Sequence, residues 1–169
     1  VMMLGQPHQR AWEDTVVLVT GASRGIGAAI ARTTGCRGAK VIIAYHSSEE
    51  SASQVAEAVT AGGGEPAIIQ CDLSTENGAR ELAAKAIERF GAVHVLVNNA
   101  SPMIERKPFT ELSCADLNLY WNVYVQSTFV LSQELVPVMR EAGGGRIINI
   151  LSSYISGVPP TEMSAYVTA

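Results

Sequence analysis

Five short runs of β-branched and other apolar residues, at 15–20, 41–45, 67–70, 93–98 and 146–151, alternate with longer segments whose apolar residues recur at helical spacing. No other feature restricts the fold as much. The runs are continuously apolar rather than apolar at every second position, as expected of parallel strands covered on both faces. Repeated strand–helix units with right-handed crossovers give an α/β, doubly wound parallel sheet. The expected strand order is 3-2-1-4-5, with a ligand at the switch point between strands 1 and 4.

Four helical segments are expected between the strands. Residues 25–34 carry Ile26, Ala29 and Ile30 on one face. Residues 49–61 carry Ala52, Val55, Ala56 and Val59, and Ser47 with Glu50 forms an expected capping box. Residues 75–90 carry Leu82, Ala86, Ile87 and Phe90, and Gly91 comes next as a stop signal. The longest helix is expected over 113–141, with Leu117, Trp121, Tyr124, Thr128, Leu131, Leu135 and Val138 as one inward stripe. Pro137 marks a kink in its last turn, and Gly143, Gly144 and Gly145 end it.

A chain of 169 residues suits one domain, here 15–169 behind a loose leader at 1–14. With 47% hydrophobic and 17% charged residues it is globular rather than disordered. Net charge is −4 without a basic cluster, which excludes a nucleic-acid or anionic-membrane surface and leaves a small molecule as the expected partner. Cys36, Cys71 and Cys114 are scattered, as reduced cytoplasmic thiols would be, and form neither a disulfide framework nor a metal site. No signal peptide and no apolar run of the ~20 residues a membrane helix needs is present. The valine before Met2 hints at a start that lies outside this sequence.

The chemistry begins where the first strand ends. Thr20-Gly21-Ala22-Ser23-Arg24-Gly25-Ile26-Gly27 continues directly from it and opens the first helix. Gly21 permits a tight turn, Gly25 lets the backbone approach a pyrophosphate, and Gly27 lets the helix pack closely on the sheet. Unpaired N–H groups and the positive helix end then hold the phosphates.

Four further stretches come in order: Cys71-Asp72-Leu73-Ser74, Val97-Asn98-Asn99-Ala100, residues 145–153, and Tyr166. Together with the glycine loop they resemble the short-chain dehydrogenase/reductase family over essentially all of 15–169. The resemblance implies a Rossmann-like sheet. It also implies that Asp72, beside Leu73, contacts an adenine ring, and that the Asn99-Ala100 backbone lies beside a nicotinamide ribose. Read without it, Asp72 caps the next helix and Asn98-Asn99 make a polar turn.

Charge decides the expected cofactor. NAD enzymes place a carboxylate near the end of strand 2 for the ribose 2′-OH. Here that end reads Ala44-Tyr45-His46-Ser47, with no acid before Glu49. The resemblance sets Arg24 against a 2′-phosphate, with Ser23, His46 and Ser47 as further donors, and charge-assisted arginine–phosphate bonds are strong. NADP(H) is therefore expected over NAD(H).

The implied reaction is hydride transfer between nicotinamide and a carbonyl or alcohol substrate. Tyr166 matches the family's acid/base. Its ordinary pKa of ~10 is too high for work near neutrality, hence the family's lysine four residues on. That position lies just beyond Ala169, so the chain reads as a longer protein cut short, or else as a fragment stabilised by a partner. Ser152 is expected to hold the substrate oxygen. Ser153 stays open because its spacing to Tyr166 is the more usual one. Two further departures stand out. Tyr124 takes the position of a helix asparagine, either acting through its hydroxyl or packing in the core, while Asn122 is expected to face elsewhere. Ser101 stands where glycine is more frequent.

The expected function is thus an NADP(H)-dependent oxidoreductase, with a non-catalytic dinucleotide binder or inactive fragment as the alternative. Pro102, Met103 and residues 157–159 are expected to line the substrate site. The resemblance reaches toward pteridine reductases and 3-oxoacyl-carrier-protein reductases alike, and implies a homodimer or homotetramer. Without further strands, Ile147, Ile148, Ile150 and Leu151 are expected to form an open apolar sheet edge.

Overall fold

The computed structural model describes residues 3–4, 11–155, 158 and 160–169; the expected substrate-lining positions 157 and 159 lie outside them. Five parallel strands form the sheet: β1 (Val16–Val19), β2 (Lys40–Tyr45), β3 (Glu65–Gln70), β4 (Val95–Asn98) and β5 (Gly145–Asn149). Their order is 3-2-1-4-5, as the strand–helix alternation predicts. A short strand, Met3–Leu4, adds antiparallel to β5 and pairs with Arg146 and Gly145. The helices are α1 (Gly25–Gly35), α2 (Glu49–Ala61), α3 (Glu76–Phe90), α4 (Cys114–Trp121), α5 (Ser127–Glu141) and α6 (Ser164–Thr168).

The central strands explain the continuous apolar runs. Along a strand, successive side chains point to opposite faces. Val16 and Leu18 of β1 join Ile42 and Ala44 of β2 in a cluster with Leu82 and Leu135 from α3 and α5. Val17 and Val19 join Val41 and Ile43 in a second cluster with Ala28, Ala31, Val55 and Val59 from α1 and α2. Leu18 sits opposite both Ile42 and Leu96, so the first cluster crosses three strands in one row. The sheet's flanks are less covered: Glu65, Ile68 and Gln70 of β3 are exposed, as is Ile148 of β5.

Two local expectations are corrected. The N-cap of α2 is Ser48 and makes no side-chain cap bond, so Ser47 and Glu50 form no capping box. The expected helix over 113–141 is interrupted by one π turn, Asn122–Gln126, between α4 and α5. A π turn inserts a residue and rotates the helix before it against the helix after it. Leu131 and Leu135 are buried as expected, but Leu117 and Trp121 are exposed, and Tyr120 is buried in their place. Pro137 is accommodated within α5, which runs on to Glu141.

Gly91 adopts φ 75° and ends α3 by donating its N–H to Ile87. Thr75 caps the start of that helix, its hydroxyl accepting from the Gly78 N–H at 3.1 Å. Asp72 is therefore not the cap. Its Oδ1 instead accepts from the Ser74 N–H at 2.9 Å and the Ser74 hydroxyl at 2.7 Å, closing a turn just after β3.

Candidate active site

The glycine turn is built as much by β4 as by its own residues. Gly21 and Gly25 both have positive φ, 62° and 58°, which a residue with a Cβ rarely adopts. A Cβ on Gly27 would lie 2.5 Å from Asn99 Nδ2 and 2.6 Å from the Gly21 carbonyl. Gly27 thus packs against the turn and Asn99, rather than only against the sheet. The Asn99 side-chain amide donates to the carbonyls of Thr20, at 2.9 Å, and Gly21, at 3.2 Å. The Thr20 hydroxyl accepts from the backbone N–H groups of Asn99, at 2.9 Å, and Ala100, at 3.0 Å, and donates to the Val97 carbonyl. These polar contacts lock the end of β1 to the end of β4.

What this turn presents suits an anion. Arg24 is the N-cap of α1 and makes no side-chain cap bond, so the first N–H groups of an eleven-residue helix face outward with the positive end of its dipole. Gly25 has open space where a Cβ would point. Ser23 is half-buried, while Arg24, Gly25 and Ile26 are exposed. The residues present therefore fit a dinucleotide pyrophosphate.

The strand ends beside this turn supply the remaining candidates unequally. His46 and Ser47 are exposed after β2. His46 lies close enough to Asp72 that its charge helps hold that carboxyl below its ordinary value, after the two hydrogen bonds from Ser74. These groups, far apart in sequence, thus share one end of the sheet. Tyr45 does not join them: its side chain is buried in the α1–α2 cluster. Leu73 is likewise buried, in the other cluster.

Beyond the turn lies a cleft of about 170 Å³. Thr20 and Ala100 line it next to the glycine turn; Ser152 and Tyr166 line it too, with Tyr124 and Tyr154. The expected catalytic pair thus meets in one cavity beside the expected cofactor turn. Ser152 Oγ accepts from the Tyr154 N–H at 3.2 Å, which leaves the hydroxyl proton for another acceptor. Ser153 instead opens the 3₁₀ turn Ser153–Ile155 and is not among the lining residues. Asn98 donates to Asn149 Oδ1 at 2.9 Å across the cleft floor.

Tyr124, Tyr154 and Tyr166 line the cleft, and the buried Tyr120 packs against Tyr124 and Tyr166. The ring of Tyr166 meets Tyr124, Tyr120 and Tyr154 edge to face, with centroids at 5.8, 6.2 and 6.4 Å. Tyr120 and Tyr124 stack at 6.0 Å. The Tyr124 hydroxyl lies 2.7 Å from Ser101 Oγ. Burial chiefly, then the neighbouring Tyr166 and Tyr120, push its phenol up to about 12 against the opposing pull of Ser101. Tyr124 thus packs against two other tyrosine rings and its hydroxyl makes a polar contact with Ser101. Sequence reasoning missed Tyr120, Tyr154 and the Thr20 hydroxyl. Thr20 was visible at the end of the first strand; the tyrosines carried no local signal.

Residues 15–169 match the short chain dehydrogenase family. An uncharacterized oxidoreductase of Methylorubrum extorquens is 39% identical over 150 residues, covering 89% of this chain and 59% of the relative. The chain therefore spans less than two thirds of that relative's length. A metagenomic short-chain oxidoreductase solved in complex with NADP is 34% identical, with a TM-score of 0.84, covering 92% of this chain and 69% of that one. A 7α-hydroxysteroid dehydrogenase solved with NADH and 7-oxo glycochenodeoxycholic acid is 33% identical, with a TM-score of 0.82, covering 91% of this chain and 59% of that one. Glycine turn, strand order, the cleft holding Ser152 and Tyr166, and these likenesses agree: the chain belongs to the short-chain dehydrogenase/reductase family.

Proposed function

We propose that this chain forms the cofactor-binding and catalytic part of an NADP(H)-dependent oxidoreductase acting on a carbonyl or alcohol. The observation that carries the reading is the meeting of Ser152 and Tyr166 in one cleft that begins at Thr20 and Ala100, beside the glycine turn. Solved relatives include one with NADP and one with NADH, so the cofactor preference rests on this chain's own charges. Arg24 is exposed at the turn, and the first acid after β2 is Glu49, already inside α2. A 2′-phosphate would meet Arg24, Ser23, His46 and Ser47; a 2′-hydroxyl would meet no carboxylate there.

When bound, the nicotinamide gives or takes the hydride. The chain's own groups handle the oxygen. The Ser152 hydroxyl, oriented by the Tyr154 N–H, donates to the substrate oxygen. The Tyr166 hydroxyl gives its proton to that oxygen in reduction, and in oxidation the Tyr166 phenolate takes the proton from it. Asn99 and Thr20 hold the turn and the floor in fixed relation, so cofactor and substrate oxygen meet in one geometry. In its full-length form the protein is read as a cytoplasmic homodimer or homotetramer, with residues 15–169 as its dinucleotide domain.

Calorimetric titration with NADPH and NADH, then NADPH oxidation over a panel of ketones, tests this. The expected result is tighter NADPH binding, weakened about tenfold or more by Arg24→Ala while NADH binding stays as it was. Tyr166→Phe should remove turnover and spare cofactor binding. Tighter NADH binding overturns the preference. Cofactor binding without turnover of any ketone favours the binder reading, and no binding of either cofactor sinks both.

A further inference from the structure

The direction of two hydrogen bonds defines what Tyr124 offers the cleft. The Ser101 hydroxyl donates to the Pro102 carbonyl at 2.9 Å. A hydroxyl has one proton to give. Either hydroxyl can be the donor in the 2.7 Å contact between Ser101 Oγ and Tyr124, but both contacts are made at once only when Tyr124 donates and Ser101 Oγ accepts. With its phenol pushed up to about 12, Tyr124 keeps that proton at neutral pH. In that arrangement both protons go to residues that do not line the cleft, Ser101 and Pro102, and what remains on the Tyr124 oxygen is lone pairs.

We infer that Tyr124 is a specificity-determining residue, presenting a hydrogen-bond acceptor to the substrate cleft and selecting carbonyl substrates that carry a donor, a hydroxyl or N–H, near the reacting carbon. The placement supports this. Tyr124 lines the same cleft as Ser152 and Tyr166, and its ring contacts that of Tyr166 at 5.8 Å. The reacting carbonyl oxygen needs donors, which Ser152 and Tyr166 supply. A donor on the neighbouring carbon needs an acceptor, which Tyr124 supplies. Stacking on Tyr120 at 6.0 Å fixes the ring, so the acceptor is held in place before the substrate arrives. Removing a pairing group from a site built for hydrogen bonding discriminates more sharply than removing apolar contact. This inference rests on the carbonyl-oxidoreductase reading of the cleft.

The test compares 2-hydroxycyclohexanone with cyclohexanone, which differ by one hydroxyl, by ligand-observed NMR titration of the full chain with and without NADP+. Wild type should bind the hydroxyketone about tenfold more tightly, the worth of one well-made hydrogen bond. Tyr124→Phe keeps the ring packing and should bring the ratio to about one. Ser101→Ala frees the Tyr124 proton to turn into the cleft and should also shrink the ratio, which a purely structural tyrosine would leave alone. A ratio preserved in both variants, equal weakening of both ketones, or no ketone binding by wild type overturns the inference. NADPH oxidation is measured alongside: discrimination in binding with no turnover would sink the hydride-transfer reading and leave the role of Tyr124 standing.

Discussion

Gly25 and Gly27 are two residues apart and are glycine for different reasons. At Gly25 the constraint is conformational: φ is 58° and nothing lies within 4 Å of a Cβ. At Gly27 the constraint is space, since a Cβ would stand 2.6 Å from a backbone carbonyl that cannot turn aside. Gly27→Ala should cost about 1–3 kcal/mol through overpacking and abolish dinucleotide binding, because Asn99 must leave the turn. Gly25→Ala should cost about 1 kcal/mol for the left-handed conformation. Thermal melts and NADPH titration of both variants check this; equal losses in both would show that the close approach of Asn99 is unimportant. A glycine pattern announces such positions in sequence, but it does not say which glycine answers to backbone strain and which to a neighbour.

Among the elements, the start of α4 is tied to the loop after β4 by one carboxylate. Asp116 Oδ2 accepts from Lys107 Nζ at 2.7 Å and from the Ser113 N–H and hydroxyl, both at 2.7 Å. The Lys107 N–H in turn donates to the Glu162 carbonyl at 2.9 Å, which joins the same loop to the turn before α6. The Lys107 ammonium first, and then Ser113, hold the Asp116 carboxyl well below the ordinary carboxylate range. A folded value below the unfolded ~3.9 means that the stabilisation is present above that pH and is lost as pH falls through the folded value. Thermal melts from pH ~7 to ~2 should therefore show Asp116→Asn with a flatter acid limb than wild type. Parallel limbs would show that the carboxylate does not hold the loop. The capping box Ser113–Asp116 was not anticipated from the sequence, and neither was its Lys107 partner.

At the scale of the whole molecule, the exposed apolar side chains among the described residues include several on α4, α5 and just after β5. Trp121 is 54% exposed, Phe129 64% and Leu151 69%. Met3–Leu4 covers only the start of the β5 edge. If the long helix joins subunits, Phe129→Lys should lower the assembly mass in sedimentation at unchanged far-UV circular dichroism; an unchanged mass places the interface elsewhere. The sequence by itself determined the α/β class and the glycine turn, because hydrophobic period and glycine position are local signals that survive in one dimension. The tertiary structure alone decided that Asn99 locks a turn 79 residues away, that Tyr45 and Leu73 go to the core, and that four tyrosine rings pack against one another, three of them lining the cleft. Such contacts depend on which strands become neighbours and on a π turn that rotates one half of a helix against the other, and neither leaves a mark in local spacing.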